Sequence, residues 1–230
     1  RGETLRERLR RGPLSEAMAV HVGAAVADAL GAAHGQGVIH RDIKPENLFL
    51  CEGSAAMPTV KVLDFGLALL TGGDRADLRL TQSGAVMGTP LYMSPEQARG
   101  QDVDARTDLY SLGAVLYEAV ACRPPFAAEA YSVLVAMILE DPAPPAPATD
   151  GLRAVIARAL AKARGDRFAS AAEMRAALLA APIAAAGDLA RTPHNAPRLV
   201  TAAPTIAARL DAALGETRPS APAYTTPEAR

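Results

Sequence analysis

The sequence predicts an α+β fold in which helices predominate and the few strands pair as small β-hairpins. Three observations carry this reading. Apolar residues recur at helical spacing in several stretches between 15 and 179, β-like runs occur only between 38 and 63, and periodicity vanishes between 67 and 89. Half of the 230 residues are hydrophobic and 21% are charged, which is enough apolar side chain for a core and too much for a wholly disordered chain.

In chain order, residues 3–11 read as a short charged helix. A longer helix follows, with Ser15 as its N-cap and an Ala/Val/Leu-rich body that reaches His34 and stops at Gly35-x-Gly37. Val38-Ile39, Leu48-Phe49-Leu50 and Val60-Lys61-Val62-Leu63 are short apolar runs broken by polar turns, and are expected to be strands. Glycines 72, 73, 84 and 88 punctuate the aperiodic stretch 67–89; a loop this long inside a domain is usually functional. Helical spacing returns at 105–121, where Leu109, Leu112, Leu116 and Val120 share a face, and further helices are expected over 127–139, 152–162 and 170–179. Prolines scattered through Ala- and Thr-rich sequence mark 181–230 as a disordered linker, so the folded domain is expected over 1–180.

Charge and cysteine content exclude several function classes. The 24 Lys+Arg and 25 Asp+Glu leave a net charge of −1, which offers no global attraction to nucleic acid or anionic membrane. Arg6, Arg8, Arg10 and Arg11 are diluted by Glu3 and Glu7 and read as a solvated helix face, not a nucleic-acid patch. Two isolated cysteines, Cys51 and Cys122, cannot build a disulfide framework and fit a reducing, cytoplasmic compartment. No run of 18 uninterrupted apolar residues occurs, so no membrane span is expected in this chain.

The chemistry concentrates in His40-Arg41-Asp42-Ile43-Lys44-Pro45-Glu46-Asn47, a polar turn between two apolar runs. Its carboxylate, lysine and amide could serve as hydroxyl orienter, phosphate counter-charge and metal ligand. A solvated turn would explain such residues taken alone. Asp64-Phe65-Gly66 argues otherwise, because its acid follows a strand-like run and is well placed to hold a divalent cation.

Together these two motifs resemble the H-R-D-L-x-x-x-N and D-F-G signatures of protein kinases. Gly88-Thr89-Pro90-Leu91-Tyr92-Met93-Ser94-Pro95-Glu96 is similar to the kinase substrate loop ending in A-P-E, with Ser94 in place of Ala. Asp108-Leu109-Tyr110-Ser111-Leu112-Gly113, Arg123-Pro124-Pro125-Phe126 and Asp166-Arg167-Phe168 resemble later landmarks in the same order. The pattern resembles the C-terminal lobe of a eukaryotic-like bacterial serine/threonine protein kinase, with the β-hairpins at the catalytic cleft.

The resemblance implies a set of roles. Asp42 would orient the attacking hydroxyl and accept its proton, Lys44 would face the γ-phosphate, and Asn47 and Asp64 would hold Mg²⁺ or Mn²⁺. Lys44, Glu46, Asn47, Phe49 and Asp64 would line the ATP cleft, with Phe49 under the adenine where the family usually has Leu; Glu3 could approach the ribose. Lys44 and Thr89 imply Ser or Thr as acceptor on protein substrates. Arg41 would receive a phosphate on the activation loop, for which Thr81 and Ser83 are candidate sites, through trans-autophosphorylation between self-associated copies. His40 and Phe65 would belong to an apolar stack, Asp108 would hold the catalytic-loop backbone, and Glu96 and Arg167 would form a buried ion pair.

A complete kinase also needs a Gly-rich loop and a lysine on its third strand. No lysine precedes Lys44, and Arg1 stands where an initiating Met would be, so the chain is expected to be a piece of a longer kinase that by itself binds Mg-ATP weakly. In the resembling bacterial kinases, Pro-rich segments join a cytoplasmic kinase domain to a membrane anchor, which here would lie beyond Arg230. The alternative is a noncatalytic, pseudokinase-like lobe that docks partners.

Overall fold

A helix buried on every side sets the architecture. The computed structural model describes residues 1–52, 57–64 and 90–183. The predicted linker from 184 onward, together with Phe65, Thr81, Ser83 and Thr89, lies outside them.

Strand β1 (Gly2–Thr4) leads directly into helix α1 (Leu5–Leu9), and α2 spans Glu16–His34. Strands β2 (Leu48–Cys51) and β3 (Thr59–Val62) follow, then α3 (Pro95–Ala98), α4 (Ala105–Ala121), α5 (Tyr131–Glu140), α6 (Asp150–Ala159) and α7 (Ala171–Ala180). In α4 every residue from Thr107 to Val120 is buried, as expected of a helix that neighbours enclose all round. Asp104 caps its start by accepting from Arg106 N at 2.8 Å; Cys122 closes its end in the left-handed region at φ 54°. Around it pack α2, α6 and α7. Gly113 makes the α4–α6 approach possible, since a Cβ there would stand 2.7 Å from that of Ala159.

The strands form one antiparallel sheet of order β1-β2-β3, with Gly2 opposite Cys51 and Leu48 opposite Val62. Leu48 and Leu50 are buried while Phe49 and Cys51 are partly exposed, the alternation of a strand with one face on the core. A second, small apolar cluster of Phe126, Leu134 and Ile138 sits under α5.

The structure revises several expected elements. Val38-Ile39 is not a strand, and the third strand is instead Gly2–Thr4, inside the stretch expected to be helical. The first helix is correspondingly only Leu5–Leu9, because Thr4 caps it in a reciprocal box with Glu7. The helix expected to begin at 127 begins at Tyr131, and that expected to end at Lys162 ends at Ala159. Among the described residues α2 alone is long and apolar enough to cross a membrane, with a mean hydropathy of 1.2; here nine of its residues are buried in the core.

Candidate active site

Asp108, wholly buried in the first turn of α4, organises the loop that carries the first motif. Its Oδ2 accepts from His40 N at 2.9 Å and its Oδ1 from Arg41 N at 2.8 Å, while His34 Nε2 lies 2.8 Å from Oδ2. These partners offset the desolvation that an isolated buried carboxylate would suffer. They also hold Arg41 at φ 68°, a region costly for a side chain with a Cβ, by about 1–3 kcal/mol. On its other side the Arg41 carbonyl accepts from Gln97 Nε2 at 2.9 Å. His40 Nδ1 accepts from Asp42 N at 3.3 Å and its Nε2 donates to Leu63 O at 2.9 Å, so a single tautomer serves both contacts.

Three side chains of the motif converge. Lys44 Nζ is 2.6 Å from Asp42 Oδ2, and Asn47 Nδ2 donates to Asp42 O at 2.8 Å and to Oδ2 at 3.1 Å. Asn47 is buried, at the end of the Pro45–Asn47 turn, whereas the Asp42 side chain remains 59% exposed and open to a reactant. Asp64 follows Leu63, whose backbone is tied to that of Asn47. Leu63 N donates to Asn47 O at 2.8 Å, carrying the β2–β3 ladder one step beyond Leu48 and Val62. The next residue, Asp64, turns out of the ladder at φ 59° and is exposed.

The donor set suits a hard cation. Because the Asn47 nitrogen donates to Asp42, its oxygen is the end available to a metal, and Asp64 adds a carboxylate. One amide and one carboxylate match Mg²⁺, which usually takes one or two carboxylates and completes its shell with water and phosphate oxygens. Among the described residues there is no cluster of three or more His, Cys, Asp or Glu side chains, the kind that would make a closed protein cage.

A second, sealed ion pair joins α3 to Arg167. Glu96 of α3 and Arg167 form a bidentate pair at 2.7 and 2.8 Å, both essentially without solvent contact. Thr107 Oγ1 donates to the same carboxylate at 2.7 Å, and Arg167 also donates to the carbonyls of Ala161 and Lys162. Burial alone would raise the Glu96 pKa, but the hydrogen bonds from Arg167 and Thr107 outweigh it and push it down to about 2.

The remaining expected residues have neighbours of their own. Glu46 points at Arg6, 2.7 Å away, and Glu3 is ion-paired with Arg11, so each acid already has a partner on α1 or just after it. Phe49 stands on β2 with its ring against Gly2, where a Cβ would be 2.6 Å from the ring edge. Arg6 departs from the solvated face expected for it: it spans Glu46 and, at 2.6 Å, Glu118, and meets the Tyr92 hydroxyl, which itself donates to Glu118 at 2.5 Å. Burial works against the Arg6 charge, yet the bonds to Glu118 and Glu46 prevail and raise its pKa. Nothing in local spacing indicates this cluster, because its members come from positions 6, 46, 92 and 118. Gln97 was legible in principle, as the last residue of a Ser94-x-x-Gln97 capping box.

The protein kinase domain family model matches residues 1–174. Serine/threonine-protein kinase PknB of Mycobacterium tuberculosis is 44% identical over 184 residues, which cover 77% of this chain and 28% of that protein. Serine/threonine-protein kinase Pkn1 of Myxococcus xanthus is 47% identical over 171 residues, covering 72% of this chain and 24% of Pkn1. Among solved structures, a double-mutant form of the PknI kinase domain of Mycobacterium tuberculosis aligns with a TM-score of 0.56 at 26% identity, covering 77% of this chain and 61% of that one. The chain thus spans about a quarter of the length of these curated relatives. With the acid, lysine and amide of its first motif in contact and its family match covering most of its length, this chain belongs to the protein kinase family, among the eukaryotic-like serine/threonine kinases of bacteria.

Proposed function

We propose that this chain supplies the catalytic-loop half of an enzyme that transfers the γ-phosphoryl group of ATP to Ser or Thr hydroxyls of proteins. Kinase domains use ATP with a divalent metal and act on proteins. The observation that carries the reading is the contact of Lys44 and Asn47 with one oxygen of an exposed Asp42, with Asp64 the residue after the Leu63–Asn47 backbone bond. Asp42 has a carboxylate open to an incoming hydroxyl and two donors that fix its orientation; it would align that hydroxyl and take its proton. Lys44 would turn its charge toward the transferring phosphoryl group. Asn47 and Asp64 would hold the metal, which when bound offsets negative charge on the phosphates. Glu46 and Phe49 would flank the nucleotide, and Thr89 would join Asp42 and Lys44 in selecting Ser or Thr.

For regulation we place Arg41 as the receptor of a phosphate on Thr81 or Ser83, added by a second copy. Its Nε is buried with no hydrogen-bond partner among the described residues, which suits a side chain awaiting an anion. The folded unit would be residues 1–180 and the linker 181–230, in a cytoplasmic setting. Radiolabelled phosphate transfer by the full-length protein, measured beside Asp42→Asn, tests the proposal. Transfer by the wild type and loss in the variant are expected; equal transfer by both would overturn the mechanism.

A further inference from the structure

We infer that Gln97 is a positioning residue for Asp42, acting through the Arg41 carbonyl. The inference rests on the proposed role of Asp42 and adds to it a residue from a different part of the chain. Arg41 is held in the left-handed region, so its two peptide planes must be fixed from outside. Asp108 fixes the plane before it by accepting from Arg41 N at 2.8 Å. The plane after it joins Arg41 to Asp42, and it is fixed at both ends: Arg41 O accepts from Gln97 Nε2 at 2.9 Å, and Asp42 N donates to His40 Nδ1 at 3.3 Å. Of these two bonds the Gln97 contact is the shorter. Rotation of this plane would swing the Asp42 Cα–Cβ direction, and with it the carboxylate that Lys44 and Asn47 address.

The choice of residue fits this task. The amide of Gln97 has two occupied ends: its Oε1 accepts from Ser94 N at 3.0 Å, and its Nε2 donates to Arg41 O. One neighbour can only donate and the other can only accept, so the amide orientation is determined by chemistry. The capping box at Ser94 would be served equally by Gln or Glu. Only Gln can also donate to Arg41 O. A residue that merely capped α3 would not need the amide nitrogen.

That asymmetry supplies the test. Gln97→Glu keeps the acceptor for Ser94 N and deletes the donor to Arg41; Gln97→Met deletes both. In the full-length protein, phosphate transfer should fall about five- to twenty-fold in kcat for both variants, with the peptide KM within about twofold of wild type, the scale expected of one lost hydrogen bond behind the reacting group. Hydrogen exchange in the peptide covering residues 38–48 should quicken in both variants, while that of 107–120 stays as in wild type. Gln97→Glu with wild-type kcat and wild-type exchange at 38–48 would overturn the inference, as would a loss confined to Gln97→Met, which would make Gln97 only a cap. If the wild type transfers no phosphate, the proposed function fails, and the exchange comparison still decides the role of Gln97.

Discussion

Two carboxylate–cation pairs of almost the same length stand at opposite ends of the burial scale. Lys44 and Asp42 meet at 2.6 Å with side chains 31% and 59% exposed; Arg167 and Glu96 meet at 2.7 Å with 0% and 2%. Contact distance therefore does not distinguish them, and solvent does. The open pair is screened by water and can exchange partners at little cost, which the role proposed for Asp42 requires. The sealed pair cannot be broken without stranding a charge, and it ties α3, whose Gln97 holds the Arg41 carbonyl, to the segment from Ala161 to Arg167.

Four measurements test how solvent access separates these roles. Asp42→Asn should lower phosphate transfer by about 10²–10⁴-fold while unfolding in urea shifts by less than about 1 kcal/mol. A large loss of stability in that variant would mean that the open pair is structural after all. Arg167→Met should destabilise by about 3–5 kcal/mol, and adding Glu96→Gln should recover part of it, because the second change removes the stranded charge. A double variant no better than the single would show that the cost lies in packing.

Acid titration probes the same pair. The Glu96 carboxyl is held at about 2 when folded, below its usual value near 4.5. Its stabilising effect is therefore complete above pH 4.5 and disappears as pH falls toward 2. The wild type should lose resistance to urea across that window more steeply than Glu96→Gln. Lys162 acts in the same sense at the alkaline end. Burial pushes its amine down to about 8, where it donates to Met137 O and Ile138 O and lies 4.1 Å over the Phe126 ring. Between pH 8 and 10.5 the unfolded chain holds a proton that the folded one has released, so stability should rise with pH there. Lys162→Met should flatten that rise in urea unfolding at matched pH.

Much of this arrangement was readable from sequence, for identifiable reasons. The bounds of α4 follow from its apolar spacing, and those of α2 from Ser15 and Gly35; each signal lies within a few residues of its effect. The Asp42, Lys44 and Asn47 cluster was legible because one short turn holds all three. β1 was not, since three residues carry no period and are strand only because Leu48–Cys51 pairs with them. The Arg6 cluster and the Gln97 bond were hidden for a related cause: their partners lie 40 to 112 and 56 positions away. Val38-Ile39 shows the converse, an apolar pair outside the β1-β2-β3 ladder.

The small apolar cluster under α5 has a consequence for how the molecule comes apart. Only Leu134 and Ile138 of that helix are buried, and no side chain caps its start, so α5 can peel away while the enclosed α4 stays intact. Leu91 and Ala98 rest against that cluster, so their packing would slacken when α5 leaves. Early protease cuts should then fall on either side of Tyr131–Glu140, releasing that helix from a remnant that still carries Asp108 with His40 and Arg41 bonded to it.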